Sequence, residues 1–230
     1  SLNFSVRAGE IVGVAGLVGA GRTEMLATLF GVTPSLGGSL QVGGEEIVSD
    51  SPFTAIWAGL ALAPEDRKLQ GLVIEMTVRE NLSLATLRRD QRPGGFLDFA
   101  KERAISEEMV ERMRVKTPSD GQVVRYLSGG NQQKVVLGKW LAMKPKLLLL
   151  DEPTRGIDVG AKREIYALME ELASSGVAIL FVSSEMEEIL GMADRAIVMH
   201  EGRITGELSR EELTEETVMQ LATGREQAAA

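Results

Sequence analysis

The chain has 230 residues, a formal net charge of −8, 44% hydrophobic residues and no cysteine; that length suits one large α/β domain with room for a small inserted subdomain. The negative balance repels nucleic acid and no long Lys/Arg cluster offsets it, while the lack of cysteine excludes disulfides and thiolate metal sites. The longest strongly apolar runs, 147–150 and 177–182, fall far short of the ~20 residues of a membrane-spanning helix, and no charged-then-apolar leader opens the chain, so it reads as soluble.

Leu2, Phe4 and Val6 alternate as in a strand, and the start at Ser1 without methionine reads as a piece of something longer. Residues 10–15 form an apolar run, 16–21 a glycine-rich stretch, and 22–30 a helix-compatible one: strand, loop, helix. Between 77 and 125 there is no strong strand signal. Ile105, Met109 and Met113 recur every four residues, and 92–95 and 118–121 break the chain, which predicts a small helical insertion. Residues 147–150 read as a buried strand. Ile165, Leu168, Met169 and Leu172 then fall on one face of a helix that 174–176 ends, and 177–182 is the next strand. Buried strands alternating with amphipathic helices predict a parallel sheet covered on both faces. Near the end, 195–199 and 203–205 flank Glu201-Gly202 as a hairpin, and the single histidine, His200, reads as a surface residue of it. The expected plan is therefore a core from 1–76 and 126–224, a helical subdomain from 77–125, and a disordered tail from 225–230.

Gly16, Leu17, Val18, Gly19, Ala20, Gly21, Arg22 and Thr23 fit the phosphate-loop pattern G-x-x-x-x-G-K-[ST] except that arginine stands in the lysine place. Glycines permit a tight loop whose N–H groups converge on phosphate oxygens, the helix that follows adds its positive end, and Thr23 offers a hydroxyl to Mg²⁺. Arginine keeps the charge but is a wide planar fork, so the exchange is not conservative. A glycine-rich turn without a ligand is the alternative. Downstream, Asp151 and Glu152 end the buried strand, where α/β folds build their sites; Asp151 suits a Mg²⁺ contact and Glu152 could polarise a water. Taken alone, the pair also reads as the start of a surface loop. Finally, Leu127-Ser128-Gly129-Gly130 precedes a helix-compatible run, 132–143, and a serine hydroxyl with free N–H groups at a helix start makes a second anion cradle.

With these residues the chain resembles the ATP-binding cassette family over nearly its whole length. Glu65-Asp66-Arg67, the segment 151–160 and the segment 183–186 resemble the C-terminal cassette of bacterial importers of ribose, galactose and xylose, whose ATP-binding subunit fuses two cassettes. The resemblance implies a RecA-like P-loop NTPase core: a largely parallel sheet flanked by helices, with an antiparallel β part and an inserted helical subdomain. It implies ATP and Mg²⁺, ATP hydrolysis coupled to carbohydrate import, and a head-to-tail sandwich of ATP between the P-loop of one cassette and Ser128, Gly129 and Gly130 of another. The implied partners are that second cassette (the N-terminal half of the same subunit), a transmembrane permease, and indirectly a periplasmic sugar-binding protein, with the chain at the cytoplasmic face of the membrane. Glu65 falls where the family has its Q-loop glutamine, Ser184 in the place of the switch histidine, and Asp158 on the aspartate that crosses the dimer interface; Asp158 also reads as a helix N-cap. The adenine-stacking aromatic would lie before Ser1. Arg22, Glu65 and Ser184 all depart from the pattern on the nucleotide side while Ser128 to Gly130 are intact, so the expectation is a site that binds ATP, turns it over poorly, and completes a partner's site. A non-hydrolysing ATP-binding and dimerisation module, and a cassette ATPase unconnected with transport, are the alternatives.

Overall fold

The computed structural model describes residues 2–224; the expected disordered tail lies outside them. In chain order the elements are β1 (Ile11–Gly16), α1 (Arg22–Leu29), β2 (Leu40–Val42), β3 (Glu45–Ile47), α2 (Pro52–Ala58) and β4 (Leu60–Ala63). A π turn (Arg67–Gly71), α3 (Val78–Ser83), α4 (Leu87–Asp90), α5 (Phe99–Arg112), a 3₁₀ turn (Val124–Tyr126) and α6 (Gly129–Leu141) follow. The chain closes with β5 (Leu147–Asp151), α7 (Val159–Ser174), β6 (Ala178–Val182), α8 (Met186–Met192), β7 (Arg195–His200), β8 (Arg203–Ser209) and α9 (Glu215–Ala222). Within the described residues these form two compact units, one of residues 2–62, 146–153 and 169–224, the other of residues 63–145 and 154–168.

The first unit is built on a six-stranded sheet in the order β4-β5-β6-β1-β7-β8, with β2 and β3 as a separate antiparallel ribbon. β5, β6, β1 and β7 run parallel and β8 returns antiparallel to β7. Such strands are covered on both faces, so they read as continuous apolar runs: all five residues of β6 and four of the five in β5 are buried. The expected hairpin is β7–β8, with a bulge at Val198/Met199. His200 ends β7, and its Nδ1 lies 2.9 Å from the Ala222 carbonyl of α9, tying the hairpin to the last helix.

Residues 2–7 correct one expectation. Leu2, Phe4 and Val6 do alternate as half-buried against exposed neighbours, but no strand pairs with them among the described residues. Alternation alone does not make a strand, because each extended residue needs a ladder partner for its N–H and C=O. The Ser5 carbonyl is taken instead by the Arg195 guanidinium.

The second unit is helical. α6 is buried almost all round from Gln132 to Leu141, as expected of a helix at the centre of a core rather than on its surface. Met109 of α5 and the following Met113 are buried, and Gly138 of α6 leaves room for them: a Cβ there would come within 3.2 Å of Met113 and 2.8 Å of Leu82. α3 begins with a capping box between Thr77 and Glu80, and a bidentate Arg79–Asp120 pair (2.6 and 2.7 Å) ties its first turn to the loop after α5. Among the described residues no helix is long and apolar enough to cross a membrane.

Candidate nucleotide site

In the first unit, β1 delivers the chain into the glycine loop at Gly16, where a Cβ would sit 2.5 Å from the Met199 carbonyl oxygen of β7. Only glycine passes so close. The Ala20 N–H turns the loop by donating to Leu17 O at 3.0 Å, and the Gly202 N–H of the β7–β8 turn braces it from outside on Ala20 O at 2.9 Å. Gly19 and Gly21 both have positive φ, 82° and 93°, and Gly21 is the N-cap of α1. Among the described residues, the amides of Gly19, Gly21, Arg22 and Thr23 donate to no backbone carbonyl. Four N–H groups at a loop-to-helix junction are thereby left for a ligand, which is how this backbone geometry binds anions. Leu17, Val18 and Gly19 are exposed, so the loop is open.

Facing it is the end of β5. Asp151 is 3% exposed, and its Oδ1 is buried without a hydrogen-bond partner. Burial pushes its carboxyl above the usual range; the Thr23 hydroxyl pulls the other way, the neighbouring Glu152 carboxylate adds to the rise, and the Arg22 guanidinium opposes it. A buried carboxylate with an unused oxygen beside a threonine hydroxyl is a donor set for a hard divalent cation. Glu152 has φ 47°, unusual for a residue with a Cβ, and is fixed there because its N–H donates to Val182 O at 3.0 Å and extends the β5–β6 ladder by one rung. Ser184 Oγ donates to Glu152 Oε2 at 3.1 Å, and Arg22 Nη1 donates to the Ser183 carbonyl at 2.8 Å. Ser183 Oγ in turn donates to the buried Glu188 at 2.7 Å. Arg22, Thr23, Asp151, Glu152 and Ser184 therefore meet in one place; Ser183, marked in the sequence only as part of the segment 183–186, and Glu188, with no signal beyond its closeness to Ser184, join them.

The remaining expected residues lie in the second unit. Ser128 is exposed and caps α6, its Oγ accepting from Asn131 N at 3.4 Å and from Asn131 Nδ2 at 2.9 Å, while Asn131 Oδ1 accepts from Lys116 N at 2.8 Å. Gly130 is buried, and a Cβ there would meet the Ala161 Cβ of α7 at 2.5 Å. Asp158 caps α7, Oδ1 accepting from Ala161 N at 2.9 Å, with the rest of the residue exposed. Glu65 is half-buried and ion-paired with Arg155.

A phosphate loop feeding α1, two carboxylates at the end of the parallel strand β5 and a central sheet between helices define a P-loop NTPase-like α/β fold, the class built to bind nucleoside triphosphates. Residues 1–155 match the ABC transporter family model, and the chain belongs to that family. It is 53% identical over 224 residues to the ribose import ATP-binding protein RbsA 1 of Streptomyces coelicolor, covering 97% of this chain and 44% of that protein. A putative ribose/galactose/methyl galactoside import ATP-binding protein of Pseudomonas fluorescens is 52% identical over 223 residues, covering 97% and 43%. The chain thus spans less than half the length of the curated relatives it matches. Among solved structures, a nucleotide-free ATP-binding cassette from an ABC transporter shares the fold with a TM-score of 0.82 at 22% identity, covering 96% of this chain and 90% of that one.

Proposed function

We propose that this chain is one ATP-binding cassette of a sugar importer: it holds ATP on its own P-loop and lends Ser128, Gly129 and Gly130 to the nucleotide of a second cassette. The observation that carries the reading is the exposed Ser128 cap at the start of α6, an anion cradle additional to the P-loop. The 53% identity to a ribose import protein supports the sugar importer, and the same relative's greater length leaves room for the second cassette in one polypeptide. A permease, a periplasmic sugar-binding protein and a place on the cytoplasmic face of the membrane complete the proposal.

In this reading the amides of Gly19, Gly21, Arg22 and Thr23 grip the β- and γ-phosphates. Thr23 and Asp151 fit Mg²⁺, whose charge, when bound, neutralises phosphate oxygens; the unpartnered Asp151 Oδ1 supports this. Glu152 orients a water for attack on the γ-phosphate, and Ser184 positions Glu152 by its hydrogen bond. Arg22 is engaged with Ser183 O, and no imidazole stands at 184 to contact the γ-phosphate, so the site binds well and turns over slowly. The same contact favours the second reading, a cassette in which ATP only holds the pair together. Equilibrium ATP binding and single-turnover hydrolysis by the purified chain separate the two: Glu152→Gln abolishes slow hydrolysis in the first and changes nothing in the second. Failure of the chain to bind ATP with Mg²⁺ defeats both.

A further inference from the structure

We propose that Arg67 is a positioning residue that locks the loop leading to Asp158 and the turn beginning at Ser128 into one fixed assembly. The inference rests on the reading of Ser128 and Asp158 as the face turned to a partner's nucleotide, but the contacts behind it all lie inside the second unit.

The three residues Glu65, Asp66 and Arg67 each hold something different. Glu65 pairs with the Arg155 side chain. Asp66 Oδ1 accepts from the amides of Lys68 and Leu69, both at 3.0 Å, and so caps the π turn that follows. Arg67 reaches further, with Nη1 donating to Arg155 O at 2.8 Å and Nη2 to Gly156 O at 3.2 Å. Two successive carbonyls suit a planar fork and not a lysine, whose ammonium is a single point. The Arg67 Nε is buried without a partner, so an arginine is kept here at the cost of an unused donor. Gly129 supplies the second contact. A Cβ on it would sit 2.8 Å from Arg67 Nη2 and 3.1 Å from Gly156 O, so the guanidinium fills the space that any side chain at 129 would need.

One guanidinium therefore touches both functional loops. On one side, Arg155 and Gly156 lead through Ile157 to Asp158, whose carboxylate caps α7. On the other, Gly129 follows Ser128, whose hydroxyl caps α6. The far end of the π turn is held as well, since Lys139 Nζ of α6 donates to Gly71 O at 2.6 Å. The segment 65–71 is anchored at both ends.

The test compares the chain with Arg67→Ala, Arg67→Lys and Gly129→Ala, and with Gly129→Ala in the Arg67→Ala background. Hydrogen exchange followed by mass spectrometry should show residues 156–161 and 128–131 exchanging about tenfold faster or more in Arg67→Ala, with β1 unchanged, since bonds to a charged donor are lost. Arg67→Lys should restore the thermal midpoint in part yet leave exchange in 156–161 fast, because one point donor cannot hold two carbonyls. Gly129→Ala should lower the midpoint less in the Arg67→Ala background than in the native one. In the two-cassette subunit, Arg67→Ala should lower the hydrolysis rate without changing ATP affinity at either P-loop. Unchanged exchange in 156–161, or an equal cost of Gly129→Ala in both backgrounds, overturns the clamp; faster exchange with unchanged hydrolysis overturns the positioning role. A native chain that binds no ATP defeats the cassette reading instead, and the exchange result stands apart from it.

Discussion

Replacing Lys139 by methionine should change how stability depends on pH. Lys139 lies inside the buried helix α6, hydrogen-bonded to a carbonyl and stacked 4.8 Å from the Trp140 ring centroid, and burial lowers its pKa from 10.5 to about 8. Folding thus disfavours the charged amine. Between the two values the unfolded chain binds the extra proton and the folded chain does not, so stability rises with pH across that window. Below pH 8 the penalty is fully present; by about pH 10.5 it has gone. Each pKa unit is ~1.4 kcal/mol, so the native chain should gain roughly 2–3 kcal/mol on Lys139→Met between pH 7 and pH 10, or on the order of 5–10 °C in thermal midpoint for a chain of this size. Thermal unfolding of both proteins by circular dichroism in matched buffers measures this, and the difference between them cancels other titrating groups. A flat difference, or one that falls with pH, would refute the reasoning and mean that water reaches the amine.

Three further outcomes follow from the same geometry. Gly130→Ala puts a methyl 2.5 Å from the Ala161 Cβ and should cost roughly 1–3 kcal/mol in chemical unfolding, with Ala161→Gly restoring most of it. Asp120→Asn removes a carboxylate whose pKa the Arg79 hydrogen bond lowers. It should cost about 1 kcal/mol near neutral pH, and the difference from the native chain should fade only below about pH 4, as the folded Asp120 itself takes up a proton. Arg22→Lys combined with Ser184→His, which frees Ser183 O and supplies an imidazole, should raise steady-state hydrolysis by on the order of tenfold or more; no gain would mean that these two positions do not limit turnover.

The parts of this fold written as local pattern were legible before the structure. β1, the glycine loop and α1 follow one another in sequence, β5 and β6 are unbroken apolar runs, and the α7 stripe of Ile165, Leu168, Met169 and Leu172 is buried as its spacing requires. Asp151 and Glu152 could be expected beside the glycine loop because strand ends are where such sites form. Contacts that join distant segments could not be read. Arg67 is 88 residues from the carbonyl it holds, and Arg22 is 161 from Ser183. No periodicity or propensity encodes such pairings: the phosphate-loop pattern marks Arg22 and the family resemblance marks Arg67, but neither says which carbonyl the guanidinium holds. Nor does the sequence show that the Asn131 amide donates to the Ser128 hydroxyl. The strand expected at Leu2 to Val6 failed for the complementary reason: its pattern was right, but a strand is defined by its neighbour.

The left-handed backbone at Glu152 carries a further consequence. Asparagine or glycine would sit there more comfortably, since both tolerate that conformation better than glutamate does. Selection for heat resistance alone, with no demand on activity, should therefore drift toward Asn or Gly at 152, giving a sturdier protein without its acid. A library screened that way would report how far shape and chemistry pull apart at one residue.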